Sequence, residues 1–126
     1  MKKILIVDDD ADLRDAIRTV LEDTYTIEEA DSKQAAYSIL EKFTPDCIVL
    51  DVMMEVYSSG FELAREIKND VRFPNVKILM LTGVDKEMNI DFKSEAGNSE
   101  WLPVDDYLQK PLEPKTLREK IANLVG

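Results

Sequence analysis

The sequence contains no histidine and one cysteine, Cys47. Without histidine there are no His-based triads, imidazole general bases or His-rich zinc sites. A single cysteine excludes an internal disulfide and Cys-cluster metal sites, and it fits a reducing compartment, the cytoplasm. Positive charge is scarce: 16 Lys and Arg stand against 26 Asp and Glu, for a formal charge of -10. Phosphate backbones and anionic lipid surfaces need a basic face, so direct nucleic-acid or membrane binding is not expected. No apolar run nears the roughly 20 residues of a membrane-spanning helix. Lys2-Lys3 and the four apolar residues after them are too short for a signal peptide. What is present is a 126-residue chain, 44% hydrophobic, with no linker or low-complexity tract. A chain of this size buries roughly two-thirds of its unfolded surface, so residues 1–126 read as one domain that folds without disulfide or structural metal.

Five apolar runs stand out: Ile4–Val7, Tyr25–Ala30, Cys47–Leu50, Val76–Leu81 and Tyr107–Leu108. The first, third and fourth are almost continuously apolar, as strands covered on both faces are. The second alternates, with Glu28 and Glu29 beside Ile27 and Ala30, which suits an edge strand. Between the runs the period becomes helical. Leu13, Ile17, Val20 and Leu21 share one face, as do Ala35, Ala36, Ile39, Leu40 and Phe43. Phe61, Ala64, Ile67 and Val71 form a third stripe, and Leu117, Ile121 and Leu124 a last one. Asp10 or Asp9 caps the first helix, Asp31 or Ser32 the second, and Pro114 opens the last. Strand and helix alternate, which predicts crossover connections and a parallel sheet. The fold class is α/β, a doubly wound (βα)5 flavodoxin-like domain with strand order 2-1-3-4-5. The span from Thr82 to Pro103 is interrupted by Gly83, Asn89, Gly97 and Asn98. It predicts at most a short helix near 86–95 in an atypical, extended β4–β5 segment.

In an open parallel sheet, ligands sit beyond the carboxyl ends of the strands, where strand order reverses. The first run ends in Asp8 and Asp9, the third in Asp51, the fourth in Thr82, and the fifth leads to Lys110. Three carboxylates, a hydroxyl and an ammonium therefore converge on one rim. Crowded carboxylates repel unless a cation joins them. Oxygen donors without His or Cys favour Mg²⁺ over Zn²⁺. An Asp carboxylate so placed can attack phosphorus, while metal and lysine offset charge on the phosphoryl oxygens.

Ile-Leu-Ile-Val-Asp-Asp-Asp at 4–10, Asp-Val-Met-Met at 51–54, Leu-Thr-Gly at 81–83 and Lys-Pro at 110–111 resemble the response-regulator receiver domain of two-component signalling. The resemblance covers essentially the whole chain. It implies that Asp51 is the phosphoacceptor and that Asp8 and Asp9 hold Mg²⁺, Asp9 directly and Asp8 largely through water. It further implies that the backbone carbonyl of Met53 is a metal ligand, that Thr82 and Lys110 contact the phosphoryl group, that Tyr107 is the switch aromatic, and that the Lys110–Pro111 bond is cis. The implied donor is the phosphohistidine of a sensor histidine kinase or phosphotransfer protein. The output is a switch in conformation toward an unknown downstream protein, not enzymatic turnover. Met1 opens the first strand directly, so of the two readings, a free-standing regulator or a receiver excised from a longer protein, the first is favoured.

Glu55 stands where the family has Pro, and the loop from Asp51 to Gly60 is one residue longer than usual. The Thr82–Lys110 span is also longer than the common form, and Trp101, Leu102 and Pro103 within it read as a core-capping loop. Asp10 and Asp12 read as helix-start acids, Asp105 and Asp106 as solvated strand-entry charges, and Cys47 as a small buried hydrophobe. Three rivals remain. A Mg²⁺-dependent phosphatase or transferase needs an acid two positions after the nucleophile and a cap, and the sequence encodes neither. A nucleotide-binding domain needs a Gly-rich loop after the first strand. A pseudo-receiver, an interaction module not phosphorylated in vivo, keeps the same residues and is the alternative. Met53 and Val84 occupy the positions that tune phosphate lifetime in the family, and neither side chain orients an attacking water. Slow autodephosphorylation is expected, with Met53→Asn faster, as measured by decay of the aspartyl phosphate in Mg²⁺.

Overall fold

The computed structural model describes residues 1–51, 59–82, 104–109 and 112–125. The elements run β1 (Lys3–Val7), α1 (Ala11–Leu21), β2 (Thr26–Ala30), α2 (Lys33–Leu40), β3 (Cys47–Asp51), α3 (Ser59–Lys68), β4 (Lys77–Thr82), β5 (Asp106–Gln109) and α4 (Pro114–Val125). The strands form one parallel sheet in the order β2-β1-β3-β4-β5. That is the expected order, and it places the reversal of winding between β1 and β3.

The near-continuous apolar runs are explained by burial on both faces. Successive side chains of a strand point to opposite faces. Leu5, Val7, Ile48, Leu50, Ile78 and Met80 face one way, against Ala36 and Leu40 of α2 and Leu63, Ala64 and Ile67 of α3. Ile4, Ile6, Cys47, Val49, Leu79 and Leu81 face the other, against Ile17 and Leu21 of α1 and Leu117 and Ile121 of α4. Each fully buried aliphatic side chain contributes about 1.5–3 kcal/mol relative to exposure.

The helix starts reflect local chemistry. Asp10 caps α1, its carboxylate accepting from the N–H groups of Asp12 and Leu13. Asp12 lies in that first turn, where acids complement the helix dipole. Ser32, in extended conformation, caps α2 by accepting from Ala35 N–H.

Two of the apolar stripes overrun their helices. Helix α2 ends at Leu40, and Phe43 packs half-buried against the core from beyond it. Phe43 N–H still bonds Ile39 O at 2.9 Å, and Pro45 disfavours helical backbone at Thr44, so the chain cannot continue as helix beyond that turn. Helix α3 ends at Lys68, and Val71 is 91% exposed. Phe73, 5% exposed, fills the core in its place. Asp105 and Asp106 are also not simply solvated. Asp105 pairs with Lys68 and accepts from Ile78 N–H at 2.8 Å, and Asp106 pairs with Lys120. Residues 83–103 of the segment between β4 and β5, with Trp101, Leu102 and Pro103, lie outside the described residues, as do Glu55 and its loop.

Ile48 sits in the central strand with no solvent exposure. Ile48→Ala is expected to lower unfolding free energy by about 2–5 kcal/mol, read from the urea midpoint at unchanged slope.

Candidate functional site at the β1–β3 switch point

In the sheet register Val7 pairs with Leu50. The next residues, Asp8 just past β1 and Asp51 at the end of β3, are therefore neighbours, with strand axes about 4.8 Å apart. Asp51 pairs in turn with Leu81, and Thr82 with Gln109. Asp8, Asp51 and Thr82 thus lie along one rim, as expected from the sequence. Asp8 is 0% and Asp51 2% exposed, and they are the buried charged residues among those described. Burying two carboxylates is costly unless something at the site compensates them.

Asp8 is tethered on three sides. Its N–H donates to Ala30 O at 3.0 Å, extending the β1–β2 ladder. Its Oδ1 accepts from Asp10 N–H at 2.9 Å. Its carbonyl oxygen accepts from Arg14 Nη1 at 2.6 Å. Arg14 is itself anchored, with Nε donating to Glu29 Oε1 at 3.1 Å. The other oxygen of Glu29 accepts from Arg18 Nη1 at 2.7 Å. Bonds between ionised partners of this kind are about twice as strong as neutral ones.

Asp9, between two fixed neighbours, is exposed. It lines a cleft of about 830 Å³ with Asp31, Ser32, Lys33, Gln34 and Tyr37. Across the mouth of α2, Glu66 accepts from Tyr37 Oη and pairs with Lys33. These contacts, Lys33 foremost, hold the Glu66 carboxyl below its ordinary value. Burial, aided by Glu66, pushes the Tyr37 phenol upward.

Tyr107 lies on β5 opposite Met80, half-buried against the α2–α3 side of the core. Lys120 Nζ stands 5.9 Å from its ring centroid and pairs with Asp106 next door. Met53, Lys110 and the Lys110–Pro111 bond lie outside the described residues. Among the described residues no group of three or more His, Cys, Asp and Glu is assembled as a ready metal cage. The donors nonetheless fit a hard cation. Asp8 and Asp51, both buried, are neighbours across the β1–β3 register, and Mg²⁺ commonly uses one or two carboxylates and keeps its waters.

The receiver-domain model of response regulators matches residues 4–122. The chain belongs to the response regulator receiver domain family. The phosphate regulon transcriptional regulatory protein PhoB of Pseudomonas aeruginosa is 39% identical over 117 residues, covering 92% of this chain and 48% of that protein. The sensor histidine kinase TmoS of Ectopseudomonas mendocina is 30% identical over 98% of this chain but 12% of its own length. The chain thus spans about half, or much less, of the curated relatives it matches. A crystal structure of a putative response regulator from Chloroflexus aurantiacus superposes with a TM-score of 0.83 at 28% identity, covering 98% of this chain and 97% of the other. Receivers of this family occur both in regulators and in kinases, which ties the chain to two-component signalling. No described helix is long and apolar enough to cross a membrane.

Arg14 was not among the residues the sequence singled out, and Glu29 was read only as edge-strand polarity. The available signal was an arginine one turn into the helix after the Asp8–Asp10 run, with an acid on the neighbouring strand.

The lowered Glu66 carboxyl gives a signed pH dependence. Its contribution is full above the unfolded value and is lost as pH falls through the lower folded one. Glu66 is largely exposed, so solvent screening keeps the effect near 0.5 kcal/mol or less. Glu66→Gln is expected to be slightly less stable than wild type near neutrality. The gap should close below about pH 4.5, the ordinary carboxyl value, in urea midpoints measured across that range.

Proposed function

We propose that this chain is the phosphoacceptor of a two-component phosphorelay, taking a phosphoryl group onto Asp51 from the phosphohistidine of a sensor histidine kinase or phosphotransfer protein. The observation that carries this reading is the burial of Asp51 beside Asp8 at the switch point, in a chain whose family is receivers. An Asp51 oxygen supplies the electron pair to phosphorus. The N–P bond of the donor breaks, its pair returns to the imidazole nitrogen, and an acyl phosphate results. Asp8, Asp9, Asp51 and the carbonyl of Met53 are the residues that would hold Mg²⁺. When bound, Mg²⁺ supplies positive charge against the phosphoryl oxygens. Thr82 donates its hydroxyl to one of those oxygens, and Lys110 offsets another.

Phosphorylation then biases a pre-existing equilibrium between two conformers. Tyr107 on β5 turns with Thr82, and the surface around it meets a downstream protein. The net charge supports a protein target over direct nucleic-acid contact. The chain acts as a cytoplasmic switch that phosphorylates itself once, not as a turnover enzyme.

Intact-mass analysis after acetyl phosphate treatment with Mg²⁺ tests the reading. A single-phosphate adduct is expected on wild type and none on Asp51→Asn or without Mg²⁺. An unmodified wild type would leave an interaction module that is not phosphorylated.

A further inference from the structure

We infer that Arg14 is a positioning residue for the acidic pocket, pinning the Asp8 carbonyl from an anchor on Glu29 and so fixing the Asp8–Asp9 segment that faces the cation. The inference rests on the functional reading above and concerns residues that reading does not use. Arg14 spans two elements. Its Nε is held by Glu29 of the edge strand at 3.1 Å, and its Nη1 reaches the Asp8 carbonyl at 2.6 Å. The guanidinium is mostly withdrawn from water, with 17% of its side chain exposed. Glu29 in turn cannot drift, because Arg18 holds its second oxygen at 2.7 Å.

The geometry matters because of what Asp8 and Asp9 must do. Strand pairing fixes the Asp8 N–H, and Asp10 N–H fixes the Asp8 carboxylate. The peptide joining Asp8 to Asp9 lies between these two anchors. The Asp8 carbonyl is the oxygen of that peptide, so Arg14 sets its plane. The plane decides where the Asp9 side chain emerges. A planar fork can serve a carboxylate and a carbonyl at once, whereas an ammonium is a single compact charge. Partners that orient metal-facing carboxylates typically change metal affinity 10–100-fold when removed.

The test is Mg²⁺ titration of the full chain by isothermal calorimetry, with melting curves to confirm folding. Arg14→Met is expected to raise the Mg²⁺ Kd about tenfold. Glu29→Gln, which keeps the shape but weakens the anchor, should raise it about threefold, and the double variant should be no worse than Arg14→Met because both act through one contact. Arg14→Lys should not restore affinity. At saturating Mg²⁺ the acetyl phosphate reaction of the variants should return to within about twofold of wild type, since the lost interaction is one of binding. An unchanged Kd in folded Arg14→Met or Glu29→Gln overturns the inference, as do fully additive effects. A wild type that binds no Mg²⁺ overturns the functional reading and the inference with it, so the two failures are told apart.

Discussion

Val7 lies opposite Leu50, and that alignment brings Asp8, the residue after β1, beside Asp51, the last residue of β3. A slip of one residue would exchange the residues packed against the two helix layers, Leu5 and Val7 for Ile4 and Ile6, because side chains alternate faces. The two-sided core therefore fixes the register, and the register fixes the carboxylates. Their burial opposes folding, and the surrounding bonds are arranged around that cost. Ladder, cap and guanidinium all converge on Asp8 from different elements.

The scarce cations are distributed accordingly. Arg14 and Arg18 close on Glu29 at the edge of the rim, and Lys33 closes on Glu66 at the mouth of the cleft. Lys68 ties α3 to the entry of β5 through Asp105, and Lys120 ties α4 to the same strand through Asp106. Individually, exposed pairs of this kind contribute little. The two at Asp105 and Asp106 join the start of β5 to α3 and α4, while its ladder with β4 holds it in the sheet.

The strands, the helices and the acidic residues at the strand ends were legible in the sequence because each depends on local pattern: apolar runs, helical stripes and the polar residues at the carboxyl end of each run. The ambiguous caps resolved to Asp10 and Ser32, the residues with a backbone N–H in reach. Phe43 and Val71 misled because periodicity carries no stop signal of its own. Asp105 and Asp106 misled because their partners lie on helices distant in sequence. The Arg14–Glu29 pair was illegible for the same reason: it exists only because β2 lies beside β1 and α1 is rotated to suit. Met53 and Lys110, which the family resemblance implicates, fall outside the described residues.

The lone thiol has a practical consequence. Cys47 is fully enclosed between the sheet and the α1–α4 layer, and burial pushes its thiol up to about 12. A thiolate is the species that reacts, so the folded chain is silent toward maleimides and similar reagents near neutrality. A cysteine introduced on the surface would then carry a fluorophore or spin label alone. The native background needs no prior removal for distance measurements.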